Sequence, residues 1–240
     1  MVGMMNWAEW KPTYNDIVTR LNLDSHADRH ATEVLSHLLE DKDPKPTLLQ
    51  IERLIEGRPI IVCGAGPSLE RHLTEVIPQA TLKESTCVAS DGAASALLEL
   101  GLRCDILVTD LDGDLQSIRE VVRRGAIPIV HAHGDNIDLV REIVPTLEAV
   151  VGSTQVEPTE RAFLWGGFTD GDRACYLVSH YRPSRVTLAG MDFGNIVGRW
   201  SKPGHKASYP ADSMKREKLV IAGELIDRLV FQSNVEFTLL

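Results

Sequence analysis

A chain of 240 residues, 43% of them hydrophobic and 25% charged, has room for one large α/β domain with a small accessory piece. Its 34 acidic and 25 basic residues leave a net charge of −9. That argues against a general nucleic-acid binder, and it means that an anionic substrate needs a metal or a local basic group. No run approaches the roughly 18 apolar residues that span a bilayer, and "MVGMMNWAEWKP" lacks a cationic start followed by an apolar run, so neither membrane contact nor a signal peptide is expected.

Residues 1–57 read as a helical N-terminal region: "YNDIVTRL" and "ATEVLSHLLE" carry apolar residues at three- and four-residue spacing. Ser25 is the expected N-cap of the second helix, "KDPKP" interrupts the pattern, and "TLLQIERLIEG" closes on Gly57. From residue 58 to 240 the texture changes. Short apolar runs ("IIVCGA", "TCVAS", "DILVT", "IPIVHA", "EAVVGS", "RVTLAG") alternate with amphipathic segments such as "LQSIREVVRRG". Continuous apolar strands alternating with helices predict a Rossmann-like α/β fold: an open parallel sheet with helices on both faces, preceded by the small helical region. "SMKREKLVIAGELIDRLVFQ" is the last helix and "VEFTLL" an edge strand. The four cysteines (Cys63, Cys87, Cys104, Cys175) form no C-x-x-C pair and read as reduced, mostly buried thiols of a cytoplasmic protein.

Each apolar run is followed at once by small or polar residues: "GAGPSL", "SDGAAS", "TDLDGD", "HAHGDN", "GSTQ" and "GMDFG". In an open parallel sheet these are the carboxyl ends of the strands, where such folds bind ligands. The segments at the opposite ends, such as "GLRC" and "RRGAIP", lack this density of Asp, His and Gly.

The glycine-rich turn Gly64, Ala65, Gly66, Pro67, Ser68 can offer backbone N–H groups to a phosphate, although a plain tight turn needs glycine too, and Leu69 stands where a dinucleotide fingerprint has its third glycine. Ser90, Asp91 and Gly92 follow the second strand; Asp91 is either a ribose-binding acid or a helix N-cap. In "ILVTDLDGD" (106–114) three acids alternate where a strand ends. A solvated acidic turn is one reading. An EF-hand is not, because Leu115 and Val121 stand where that loop needs Gly and Glu. The other reading is magnesium held by Asp110, Asp112 and Asp114: if the strand persists, Asp110 and Asp112 share a face and repel unless a cation bridges them. His131 and His133 share a strand face; a zinc site lacks an evident third ligand, which leaves a polar contact to substrate or a structural role. Asp135 is a candidate cap for the next helix. In "GFTDGDRACYL", Arg173 either offsets phosphate charge or forms a surface salt bridge. Lys215, Arg216 and Lys218 begin the last helix against its dipole, which fits either a ligand anion nearby or a solvated basic face.

Taken in order, "CGAGPSLE…VASDGAASALLELGLRCDILVTDLDGD…HAHGDN…GFTDGDRA…AGMDFG" resembles the archaeal 6-hydroxymethyl-7,8-dihydropterin pyrophosphokinase family over about residues 57–220. It is distantly similar to thiamin pyrophosphokinase, whose "DGG…G-x-x-P-D…GDxDS" pattern is echoed by "DGAASALLELGLRCDILVTDLDGD". The resemblance implies transfer of diphosphate from ATP to the hydroxymethyl group of a reduced pterin, with release of AMP, magnesium as cofactor, and a place in tetrahydromethanopterin or folate-type pterin synthesis. Asp91, Asp110 and Asp112 carry over as the acidic, metal-binding set. Ala93 and Gly113 depart from the thiamin pattern, which argues against thiamin as substrate and leaves Asp114 without a firm role.

For the chemistry, Asp91, Asp135 and Asp172 are candidate acceptors of the hydroxymethyl proton. Asp192 or Asp172 suits the amide and amino groups of the pterin, with Phe168 or Phe193 stacking on its ring. His131, His133, Asn136, Thr154 and Gln155 complete the expected substrate contacts. Expected partners are ATP and the pterin, not nucleic acid. The helical N-terminus suits either homodimerisation or lid closure. The competing function is a glycosyltransferase related to flagellin-modifying enzymes, with Asp-Leu-Asp as its D-x-D motif; a nucleotide-binding module without activity is a third.

Overall fold

A computed structural model describes residues 5–240, so the first four residues of the expected helical region lie outside the described residues. Three helices lead: α1 (Trp7–Leu21), α2 (Ser25–Leu38) and α3 (Lys45–Ile55). The N-cap of α2 is Asp24 and not Ser25, because its carboxylate accepts from the N–H groups of both His26 (2.9 Å) and Ala27 (3.1 Å). Gly57, at φ +66°, then turns the chain into the sheet.

Eight parallel strands follow in the spatial order β10-β7-β1-β2-β3-β4-β5-β6. They are β1 (Pro59–Cys63), β2 (Thr86–Ser90), β3 (Ile106–Thr109), β4 (Ile127–His131), β5 (Val151–Ser153), β6 (Ala162–Phe163), β7 (Arg185–Ala189) and the edge strand β10 (Glu236–Leu239). Between them lie α4 (Leu69–Arg71, running into a π turn over His72–Val76), α5 (Gln79–Glu84), α6 (Ala93–Glu99), α7 (Leu115–Arg123), α8 (Ile137–Ile143), α9 (Asp170–His180) and α10 (Ser213–Gln232). A small antiparallel pair, β8 (Ile196–Val197) and β9 (Tyr209–Pro210), frames a flap over residues 194–212.

Alternation along each strand sorts its side chains into two cores. Ile61, Cys63, Ala89, Leu107 and Val130 pack with Leu35, Leu69, Leu97, Ile118 and Val140, beneath α2, α4, α6, α7 and α8. Ile60, Val62, Val88, Ile106, Val108 and Ile129 pack with Ile17, Ile51, Leu177 and Leu225, beneath α1, α3, α9 and α10. Each fully buried aliphatic side chain contributes roughly 1.5–3 kcal/mol. A one-residue slip would exchange the two cores, so burial on both faces fixes the register. The change of texture at residue 57 falls inside these cores, since α1 and α3 lie in the same cluster as Ile60 and α2 in the same cluster as Ile61. Cys63, Cys87 and Cys175 are buried and free, and Cys104 is half-buried and free. No helix of the described residues is long and apolar enough to cross a membrane.

The chain runs outward from β1 to β6, then returns to add β7 and β10 on the other side of β1. That reversal places a topological switch point between β1 and β7. The crevice above such a point, at the carboxyl ends of the strands, is where open α/β sheets hold ligands.

Candidate active site

The crevice is a cavity of about 550 Å³. Its floor is built at the ends of β2 and β3 and the start of α9. β3 stops at Thr109, and Leu111 adopts a left-handed conformation (φ +69°), so Asp110 and Asp112 do not share a strand face as expected. Such backbone costs roughly 1–3 kcal/mol. It is held by burial of the Leu111 side chain and by the Leu111 N–H donating to the Thr109 hydroxyl (2.8 Å), which in turn donates to Asp91 Oδ1. Gly113 packs against the Asp91 carboxylate so closely that a Cβ there would collide with it.

This turn gathers Asp91 and Asp110 with Asp170, the first residue of α9. One oxygen from each lies within 4.8 Å of the others. Asp91 is buried, and its Oδ2 has no hydrogen-bond partner among the described residues. Burial pushes the Asp91 and Asp170 carboxyls well above the usual range, and the charge of Asp110 adds to it in both. Burial acts on Asp110 in the same direction but is outweighed: His133, whose Nε2 stands 3.4 Å from Asp110 Oδ2, holds that carboxyl below the usual range. Three converging carboxylates with an orphaned oxygen fit a hard divalent cation such as magnesium, which takes oxygen ligands and relieves the repulsion.

The other acids of the two runs are engaged elsewhere. Asp112 lines the cavity but pairs with Lys202 of the flap. Asp114, expected in the metal set, is instead the N-cap of α7: its Oδ2 accepts from the backbone (3.0 Å) and hydroxyl (2.6 Å) of Ser117. Asp172, expected as a base or pterin partner, is the buried acid of a capping box with Thr169, accepting from the N–H groups of Phe168 (2.5 Å) and Thr169 (2.8 Å).

Nearer the switch point, Gly64, Ala65 and Gly66 line the cavity together with Ser90 and Gly92. Pro67 and Ser68 of the same turn do not line it. Asp192, expected to meet the pterin, also lines the cavity, but its Oδ2 is occupied by the Ser68 N–H (3.0 Å) and hydroxyl (2.6 Å) and so braces the glycine turn. Lys202, Lys215 and Lys218 supply positive charge to the wall formed by the flap and α10. Asp212 caps α10, accepting from Lys215 N–H (2.7 Å), so the helix start is not left uncompensated. Phe193 lines the same wall. Arg173 makes no surface salt bridge: its side chain is fully buried, Nη2 donates to the Phe168 carbonyl (2.8 Å), and Asp170, Asp172, Asp110 and Asp28 surround its charge.

The family model for 6-hydroxymethylpterin diphosphokinase MptE-like proteins matches residues 33–198. The chain belongs to this family. A Pyrococcus furiosus protein called 6-hydroxymethyl-7,8-dihydropterin pyrophosphokinase is 40% identical over 225 residues, 94% of either chain. One of the same name from Methanocaldococcus jannaschii is 38% identical over 241 residues, 97% of this chain and 99% of that one. The MAf glycosyltransferase of Magnetospirillum magneticum AMB-1 shows a slighter structural likeness: TM-score 0.45 and 18% identity, over 79% of this chain and 36% of that one.

At the far end of the cavity in this family member stand His131, His133, Asp135, Gln155 and Phe168. His131 ends β4, buried with neither ring nitrogen hydrogen-bonded among the described residues; burial, then the charge of Arg173, keep it neutral. Its ring stacks on His133 at 5.9 Å between centroids. Two expected contacts are internal instead. Asn136, rather than Asp135, is the N-cap of α8, and its amide donates to the carbonyls of Asp110 (2.7 Å) and His131 (2.8 Å). Thr154 bonds Thr32 within the core (2.8 Å).

Three contributors were missed in the sequence: Asp170, Lys202 and Asp28 of α2, which lines the cavity. For Asp170 a signal existed. Thr169-x-x-Asp172 is a capping-box spacing, which commits Asp172 to the helix start and leaves Asp170 free. Asp28 and Lys202 meet the site only through tertiary packing.

Proposed function

We propose that this protein transfers the terminal diphosphate of ATP to 6-hydroxymethyl-7,8-dihydropterin with magnesium as cofactor, giving the pterin diphosphate and AMP. One observation carries the reading beyond family membership: Asp91, Asp110 and Asp170, with an unpartnered oxygen among them, share one cavity with Lys202, Lys215 and Lys218. An acidic cluster and a basic wall in the same cavity suit a polyphosphate bridged by a cation better than either suits a neutral ligand.

The pterin hydroxyl attacks the β-phosphorus in line; the new P–O bond forms as the bond to the α-phosphate oxygen breaks, and AMP leaves with that oxygen. Magnesium held by Asp91, Asp110 and Asp170 supplies neutralisation of phosphate charge. The chain itself contributes position and field. The lysines draw the polyphosphate against the glycine turn, which offers backbone N–H groups. Of the candidate bases, Asp172 is locked in its capping box and Asp91 belongs to the cluster, so Asp135 is left to accept the hydroxyl proton. The product belongs to tetrahydromethanopterin or folate-type pterin synthesis in the cytoplasm.

The test supplies purified protein with ATP, magnesium and the reduced hydroxymethylpterin and follows nucleotide and pterin products. AMP in equal amount to pterin diphosphate is the expected result. ADP as the nucleotide product, or sugar transfer from a nucleotide sugar in place of diphosphate transfer, overturns the reading.

A further inference from the structure

We infer that Asp28 of α2 is a positioning residue that turns the Gln155 amide so that Gln155 and His131 together read the ring-amide edge of the pterin. The inference rests on the diphosphokinase reading of the cavity. It goes beyond that reading because neither the acid cluster nor the basic wall that carries it gives Asp28 a role.

Hydrogen-bond accounting carries the argument. Asp28 is 5% exposed and lines the cavity. Its Oδ1 accepts from Gly134 N–H (2.9 Å), and its Oδ2 from Tyr14 hydroxyl (2.7 Å) and Gln155 Nε2 (2.7 Å). An ionised carboxylate only accepts, so the Gln155 amide has to point its NH₂ at Asp28. Its Oε1 is thereby left to accept, with the His131 imidazole as its neighbour. Two further contacts brace the pair. The Tyr14 hydroxyl stays protonated as a donor, because burial, then the bond and charge of Asp28, raise it. Trp10 Nε1 donates to the main-chain carbonyl of Gln155 (2.9 Å), tying α1 to the same residue.

Beside Gln155 stands His131, 2% exposed, with neither ring nitrogen in hydrogen-bonding geometry with a described residue. A neutral imidazole offers one donor and one acceptor. An acceptor fixed on Gln155 beside a donor on His131 matches a cyclic amide, whose N–H and exocyclic amine donate and whose C=O accepts. Buried polar groups left unpaired cost roughly 1–3 kcal/mol each, and a pterin edge satisfies them where an apolar ring would not. The placement also suits the reaction. His131 stacks on His133 (5.9 Å), and His133 reaches Asp110 (3.4 Å), so a row of side chains runs from the recognition end to the acidic cluster. A pterin with its amide edge against Gln155 and His131 carries its hydroxymethyl group at the opposite end of the bicycle, toward those acids.

The test measures steady-state kinetics with each substrate varied in turn, for Asp28→Asn and Gln155→Met, with pterin binding in the absence of nucleotide as a second readout. In the first variant the new amide offers a donor as well as an acceptor and no longer dictates the orientation of Gln155. In the second the thioether keeps the volume and removes the acceptor. Both variants are expected to raise the KM for the pterin about tenfold, the equivalent of one lost hydrogen bond, and to weaken pterin binding alike, with the KM for ATP unchanged. Should Asp28→Asn fail to fold, Gln155→Met carries the test. If wild-type protein makes no pterin diphosphate, the functional reading falls first. If wild-type protein makes it but the variants leave pterin KM unchanged, or raise both KM values together as a loosened scaffold would, Asp28 is only a brace for the N-terminal helices and the inference is overturned.

Discussion

Two turns of this protein are built from nearly the same letters. After β3 the chain reads Thr109-Asp110-Leu111-Asp112-Gly113-Asp114, and at the start of α9 it reads Thr169-Asp170-Gly171-Asp172. In both, the first aspartate joins the converging carboxylates and the last is spent on a helix start: Asp114 caps α7, and Asp172 closes the capping box of α9. In both, the threonine hydroxyl holds a carboxylate, Asp91 in one and Asp172 in the other. An acid that receives helix N–H groups has a local reason to be there, because it satisfies orphan donors and meets the positive end of the helix dipole. Asp170 also meets the dipole of α9 and Asp110 accepts the Asp112 N–H (3.2 Å), but neither takes a helix N–H donor among the described residues, and the orphaned Asp91 oxygen shares their company.

The contrast is testable at its first members. Asp170→Asn and Asp110→Asn are each expected to lower kcat about 10³-fold or more, since a lost ligand removes several kcal/mol of charge stabilisation from the transition state. Melting temperature is expected to hold or to rise in the Asp170 variant, because one buried like charge is gone. Kinetics and thermal melts on the same preparations check both halves. Near-normal turnover of Asp170→Asn with magnesium would remove Asp170 from the site and return the choice to Asp112.

A smaller effect follows from the same crowding. Without metal, the Asp91 and Asp170 carboxyls titrate above the usual carboxylate range, from burial first and the neighbouring charge of Asp110 next. Between the unfolded and folded values the native protein therefore binds more protons than the unfolded chain, and stability falls as pH rises. The decline begins near the unfolded value of about 4 and ends above the folded ones. Asp110, held low by His133 against its own burial, acts the opposite way, but only below the unfolded value. Denaturant melts at stepped pH in chelator should show the decline, and magnesium should abolish it by binding the native state alone. A stability curve in chelator that is flat over this range, and unmoved by magnesium, would mean the three acids do not repel one another.

How much of this was legible in the sequence depends on the range over which each residue acts. Strands buried on both faces announce themselves as apolar runs, and the polar clusters after them point to one end of the sheet. The resemblance to pterin pyrophosphokinases was likewise carried by contiguous motifs, and family membership bears it out. Less legible was the sorting of acids within a motif. A left-handed leucine at position 111 ends the strand alternation that the pairing of Asp110 with Asp112 assumed, and nothing local in "TDLDGD" signals it. Least legible were Asp28 and Lys202. They reach the cavity from α2 and from the flap, across sequence distances that no periodicity spans.

The mildest substitution is then the one that separates capping from binding most cleanly. Asp114→Ala deletes a carboxylate that accepts from Ser117 N–H and hydroxyl and makes no other hydrogen bond among the described residues. Loss of such a cap costs about 1 kcal/mol, read as a lower denaturation midpoint with the denaturant slope unchanged. Because the side chain neither lines the cavity nor belongs to the acid cluster, kcat and both KM values are expected to stay at wild-type levels. Asp114→Asn should recover most of the lost stability, since an amide oxygen caps nearly as well. Were Asp114→Ala instead to lose turnover while keeping its stability, the rule that the last acid of each run belongs to a helix would fail at α7, and Asp114 would return to the metal set.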